Sequence, residues 1–295
     1  MDFAPIHSLL DNNMTWYLKN IPQKAWFYWN NSNLPYVRYL TLLTFRKHNP
    51  NWQMILYTSE KQVQEDLIFP DYWSKVKDLN IEIKNILPQC IQNIDLSQTK
   101  DDYFRNVYLS DYLRWWLLNE YGGLWSDMDI LYLKSMDEIR CNKWANESFT
   151  DFVLPQPYNN FLLSAGRTAL STVLWRKALE ITQEQINTDP FTTGPVHYEN
   201  VRGKYPTTGG EIRREEYVIP YPGMMEIPLK TTEIVDSDGF DFGKTMMAES
   251  LPPETVGIHW HGSGLFSKYT EITEENYQTD PTLLAQMIRI ALDKI

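Results

Sequence analysis

The chain has 295 residues, 43% hydrophobic and 22% charged, which places it among ordered proteins large enough to bury a sizeable core. Its net charge of -11 and pI near 5.0 argue against a surface built mainly for a nucleic-acid backbone, although Arg202, Lys204, Arg213 and Arg214 could form a local basic face or a solvated loop. Cys90 and Cys141 build no disulfide framework, Met1 to His7 lacks the stretches of a signal peptide, and no run approaches the about 20 apolar residues of a membrane span. A soluble, cytoplasmic protein is the expectation.

Ala25 to Trp29 predicts a short buried strand, and Pro35 opens a helical pattern (Val37, Leu40, Leu43, Thr44) that stops at His48-Asn49-Pro50. Trp52 to Tyr57 reads as a second strand, Glu60 to Leu67 as a helix, and Ile81, Ile83 and Ile86 as a third strand. A helix follows that buries Leu109, Leu113, Trp116 and Leu117 on one face and leaves Asp111 and Arg114, one turn apart, on another. Gly122-Gly123 ends it and swings the chain into a strand closing at Asp127-Met128-Asp129. This β-α-β-α-β order implies an α/β fold with a largely parallel, Rossmann-like sheet flanked by helices.

After Lys134 the pattern changes. Asp151 to Leu154 and Phe161 to Leu163 read as short strands, and about Leu170 to Ile186 as a helix. Thr192 to Gly243 is rich in Gly, Pro and Thr and irregular, with a strand at Tyr217 to Pro220. Val256 to Trp260 is a late strand leading into His259-Trp-His-Gly-Ser-Gly264, and Leu283 to Leu292 a terminal amphipathic helix. With no repeat, low-complexity stretch or linker, residues 1–295 read as a single domain: a nucleotide-sugar-binding half over 20–135 and an irregular acceptor-side half over 136–295.

Alternating side chains put the two carboxylates of an Asp-x-Asp strand end on one side of the backbone. Two hard oxygen ligands suit Mg²⁺ or Mn²⁺ with open positions, and a diphosphate is the natural occupant of those positions. The motif also opens phosphatases with an aspartyl nucleophile, but there it ends a first strand near the domain start rather than standing mid-chain behind Tyr-Gly-Gly. Asp111 and Arg114 read either as an ordinary i,i+3 ion pair on a solvated face or as groups aimed at a sugar and its diphosphate. No Ser-His-Asp order or phosphate-cradling Gly-rich loop is evident, and five histidines leave little room for a zinc site.

The string Ser110-Asp111-x-x-Arg114 … Tyr121-Gly-Gly-Leu-Trp-Ser-Asp-Met-Asp129 resembles the signature of glycosyltransferases with a sugar-binding region containing the DXD motif, a superfamily that includes yeast outer-chain mannosyltransferases, capsular polysaccharide transferases and clostridial glucosylating toxins. Ile21-Pro-Gln-Lys-Ala-Trp-Phe-Tyr-Trp29, Asn49-Pro50 and Thr193-Gly194-Pro195 are similar to further family segments. The resemblance implies a GT-A-like fold and a metal-dependent, retaining glycosyltransferase using a nucleotide-sugar donor, UDP-linked, with Mn²⁺ or Mg²⁺ as cofactor. It implies that Asp127 contacts ribose or sugar and serves the metal, that Asp129 binds the metal, that Asp111 and Arg114 hold the donor sugar and phosphates, and that Trp29 stacks the uracil.

Trp125 stands where the family usually has Tyr, and Ser263-Gly264 where it has Ser-Trp. In transferases of this general fold a residue near the C-terminus completes the metal site. His259, ahead of His261, is the candidate here, with Ser263 as its substitute; the alternative is that His259 is a hydrogen-bonded core residue. The acceptor stays open among a glycan, a protein, a lipid-linked saccharide and a modified nucleic-acid base. A catalytically silent sugar-nucleotide or glycan-binding protein is the competing class.

Overall fold

A computed structural model describes residues 21–31, 33–58, 72–97, 99, 102–137, 152–154, 161–164, 166, 175–176, 178–180, 206–207, 210–211, 218–220, 224–226, 257–260 and 272–293. Several sequence expectations lie outside these residues: the helix at Glu60 to Leu67, most of the helix at Leu170 to Ile186, the Thr-Gly-Pro segment, the four basic residues between 202 and 214, and His261 to Gly264.

The elements that can be compared follow the expected order. Strand β1 is Lys24–Tyr28, helix α1 Tyr36–His48, strand β2 Gln53–Tyr57, helix α2 Trp73–Val76 and strand β3 Ile81–Lys84. Helix α3 is Gln89–Gln92, helix α4 Asp102–Glu120, strand β4 Gly123–Ser126 and strand β5 Ile130–Tyr132. Strands β6 (Phe152–Leu154) and β7 (Phe161–Ser164) come next. The region expected to be irregular contributes β8 (Pro206–Thr207), β9 (Gly210–Glu211), β10 (Val218–Pro220) and β11 (Met224–Glu226). Strand β12 (Gly257–His259) and helix α5 (Leu283–Asp293) close the series.

Hydrogen bonding orders the main sheet β3-β2-β1-β4-β7. β2 pairs with β3 and β1 with β4 in parallel, whereas β7 joins β4 antiparallel at the edge. The fold is therefore α/β with a mostly parallel sheet. Leu124, Trp125 and Ser126 are all buried, as expected of a strand covered on both faces. Ile86 departs from expectation: it lies beyond β3 and is 77% exposed, because the strand ends at Lys84 before the apolar alternation does.

The chain divides into two compact units, and β1 runs through the division. The first unit comprises Met1–Trp26, Ile86–Ser126 and Asp137–Tyr221. In it, Ala25 and Trp26 face Leu124 and Trp125 across the parallel pair, and the Trp26 indole N–H donates to the Gly122 carbonyl at 2.7 Å. Gly123 sits at φ +96°, and a Cβ there would lie 2.5 Å from the Lys24 carbonyl oxygen. Only glycine lets α4 turn this sharply into β4.

The second unit comprises Phe27–Asn85, Asp127–Met136 and Pro222–Ile295. Its smaller sheet runs β11-β12-β5, with β12 antiparallel to β5. The other edge of β5 meets α1. The Ile130 N–H donates to Thr41 Oγ1 at 3.3 Å and the Tyr132 N–H to Thr44 Oγ1 at 3.0 Å. Two strand donors on the same side, two residues apart, thus meet two threonines one helical turn apart. Asn49 continues the seam, its Oδ1 accepting from the Met136 N–H at 2.7 Å. Leu40, Leu42 and Phe45 are buried around this contact, each worth about 1.5–3 kcal/mol relative to exposure.

Candidate active site

Two candidate residues directly follow the carboxyl ends of strands: Trp29 follows β1, and Asp127 follows β4.

The Asp-x-Asp motif does not extend the strand. β4 ends at Ser126, and Asp127-Met128-Asp129 forms the turn into β5, with Met128 buried, Asp127 half-buried and Asp129 only 6% exposed. The turn geometry, not strand alternation, therefore sets where the two carboxylates go. It is held from behind, where the Trp260 N–H donates to the Asp129 carbonyl at 3.0 Å as β12 runs alongside β5.

Sequence reasoning passed over Arg38. This residue of α1 is 8% exposed, and its Nη1 stands 3.6 Å from Asp129 Oδ2. Its guanidinium lies over two indole rings, 4.6 Å from the centroid of Trp260 and 5.1 Å from that of Trp29. Arg38, Thr41 and Thr44 recur at one-turn spacing, so a single face of α1 meets Asp129, Ile130 and Tyr132 in succession. A signal was available: an Arg inside the apolar stretch Tyr36 to Phe45, on a helix buried nearly all round, needs a counter-charge.

Trp29 is half-buried, one face under Arg38 and its indole N–H donating to the Asn33 carbonyl at 2.9 Å. His259 lies in β12 opposite Ile130, next to the motif in sequence register; its side chain lies outside the described residues, as does all of Ser263. Asp127 and Asp129 are a fitting partial donor set for a hard divalent ion, which takes carboxylate, water and phosphate oxygens. Arg38 already places a positive charge beside Asp129. Among the described residues no group of three or more His, Cys, Asp or Glu side chains gathers as a metal site.

Asp111 and Arg114 belong to the first unit. Helix α4 was expected to be amphipathic with this pair on a second face, but it is buried on nearly its whole circumference from Tyr108 to Leu118. Both residues are 4% exposed, and Arg114 Nη2 stands 3.1 Å from Asp111 Oδ1. The Arg114 guanidinium also lies 5.3 Å from the Trp125 ring centroid. The solvated-face reading is thereby excluded. Burial, and then the Asp111 carboxylate, push the neighbouring Tyr112 phenol well above its ordinary pKa, so it stays a neutral hydroxyl at physiological pH.

Residues 41–149 match the family described as glycosyltransferase sugar-binding region containing DXD motif. The matched stretch runs from Thr41 on the α1 seam through α4, the Gly-Gly turn and the Asp127–Asp129 turn, and sugar transfer is the class of reaction that this family's description names. Solved structures similar to the chain include the PaToxG glycosyltransferase, at 13% identity over 67% of this chain and 78% of the other, with a TM-score of 0.40. Another is the galactosyltransferase LgtC in complex with donor and acceptor sugar analogues, at 11% identity over 92% and 95%, with a TM-score of 0.41. No curated protein matches the chain. Among the described residues, no helix is long and apolar enough to cross a membrane.

Proposed function

We propose that the protein is a metal-dependent glycosyltransferase that moves a sugar from a UDP-linked donor to an acceptor hydroxyl with retention, in the cytoplasm. The observation that carries this reading is the Asp127–Asp129 turn, two carboxylates beyond the carboxyl end of β4. Residues 20–135 serve the donor in this reading and 136–295 the acceptor, with a GT-A-type architecture.

In the reaction, the bond from the anomeric carbon to the diphosphate oxygen breaks and a bond from that carbon to the acceptor oxygen forms. UDP leaves with the electron pair, and the acceptor proton is released. Bound Mn²⁺ or Mg²⁺ would neutralise charge on the departing diphosphate. Asp127 and Asp129 would hold the ion with His259 or Ser263 as a further ligand, Asp111 and Arg114 would bind the donor sugar and phosphates, and Trp29 would stack on the uracil.

A panel of nucleotide sugars tested for thermal stabilisation with Mn²⁺ identifies the donor, since a ligand at a hundredfold its Kd adds about 2.7 kcal/mol. Slow metal-dependent hydrolysis of the stabilising donor is the expected accompaniment. Stabilisation without any hydrolysis or transfer would refute the enzymatic reading in favour of a silent binder.

A further inference from the structure

We infer that Arg38 is a positioning residue that holds Asp129 in place of a divalent ion, so that the ion binds weakly alone and well only with a diphosphate. The inference rests on the proposed metal role of Asp127 and Asp129. Three observations carry it.

The guanidinium is permanently charged, nearly inaccessible to water and in contact with both the Trp29 and Trp260 rings. Its helix is further pinned by the Thr41 and Thr44 contacts to β5. The 3.6 Å separation from Asp129 is a charge contact rather than a short hydrogen bond.

A divalent ion ligated by Asp129 would stand within about 6 Å of the guanidinium, given coordination distances of about 2.0–2.2 Å for Mg²⁺-like ions. Like charges that close in a poorly hydrated site repel, and a diphosphate reverses the balance by bringing negative charge to both. Binding of the ion and of the diphosphate are then coupled, each raising the affinity of the other. Trp29 touches the same guanidinium, so a nucleobase stacked on it reports to the same cluster.

The test is calorimetric titration of the full chain with Mn²⁺, alone and at saturating UDP, in wild type, Arg38→Met and Arg38→Lys. Arg38→Met is expected to bind Mn²⁺ alone about tenfold tighter than wild type or better, and to gain less from UDP. Arg38→Lys keeps the charge and the weak binding. Equal or weaker Mn²⁺ binding by a folded Arg38→Met overturns the inference alone. Should Arg38→Met fail to fold, wild type still decides, because a ratio of Mn²⁺ affinities with and without UDP near one overturns it. Absence of Mn²⁺ binding in every protein and condition overturns the metal reading, and the inference falls with it.

Discussion

Substituting Asp111 by Asn, Arg114 by Met, and both together measures what the buried pair contributes. At the 3.1 Å separation of Nη2 and Oδ1, the attraction at an effective dielectric of about 20 is roughly 5 kcal/mol. Desolvation of both groups offsets much of that, so the pair as a whole adds little over a well-packed apolar substitute. A single substitution is different, because it leaves a buried charge without its partner, at a cost of about 3–5 kcal/mol. The Trp125 ring, 5.3 Å away, still faces the guanidinium in Asp111→Asn and holds the loss toward the lower end, about 3 kcal/mol. The double variant is expected to lose clearly less than the sum of the singles, with a coupling of about 2–3 kcal/mol. Urea unfolding followed by far-UV circular dichroism and tryptophan fluorescence reads each value. An exposed i,i+3 pair would couple by about 0.5 kcal/mol at most, and a cycle returning that figure would refute the reasoning.

Asp129→Asn is expected to abolish Mn²⁺-dependent turnover with the far-UV spectrum retained; wild-type activity at saturating donor and limiting Mn²⁺ rules Asp129 out as a ligand. Trp29→Ala should weaken UDP binding by about 1–3 kcal/mol by fluorescence titration, and a loss of stability with nucleotide affinity intact would make Trp29 a core residue instead. For His259→Ala a lower Mn²⁺ affinity in the presence of UDP is expected, and an unchanged titration sinks its role as ligand. Gly123→Ala forces an L residue to φ +96° with its Cβ 2.5 Å from a backbone oxygen, and thermal unfolding should show a loss of at least about 2 kcal/mol. A variant as stable as wild type would mean that the α4–β4 turn relaxes freely.

Much of the local order was legible in the amino-acid sequence. Pro35 and Asn49-Pro50 bracket α1 because proline constrains backbone dihedrals wherever it stands, and Gly122-Gly123 marks the end of α4 because only glycine accepts its geometry. The β-α-β order implied the parallel sheet. These are properties of neighbours in the chain. What lay beyond was decided by partners distant in sequence. Whether Asp111 and Arg114 meet water depended on what covers α4, and periodicity reports apolar faces but not polar residues buried as pairs. Arg38 acquires its meaning only where Asp129 and Trp260, about ninety and more than two hundred residues away in the sequence, close around it. Strand alternation likewise misplaced the motif, since Asp127 and Asp129 belong to a turn anchored through β5 to both α1 and β12. Local sterics and hydrogen-bonding chemistry are written residue by residue, whereas burial and charge pairing are properties of the packed chain and exist only once it has folded.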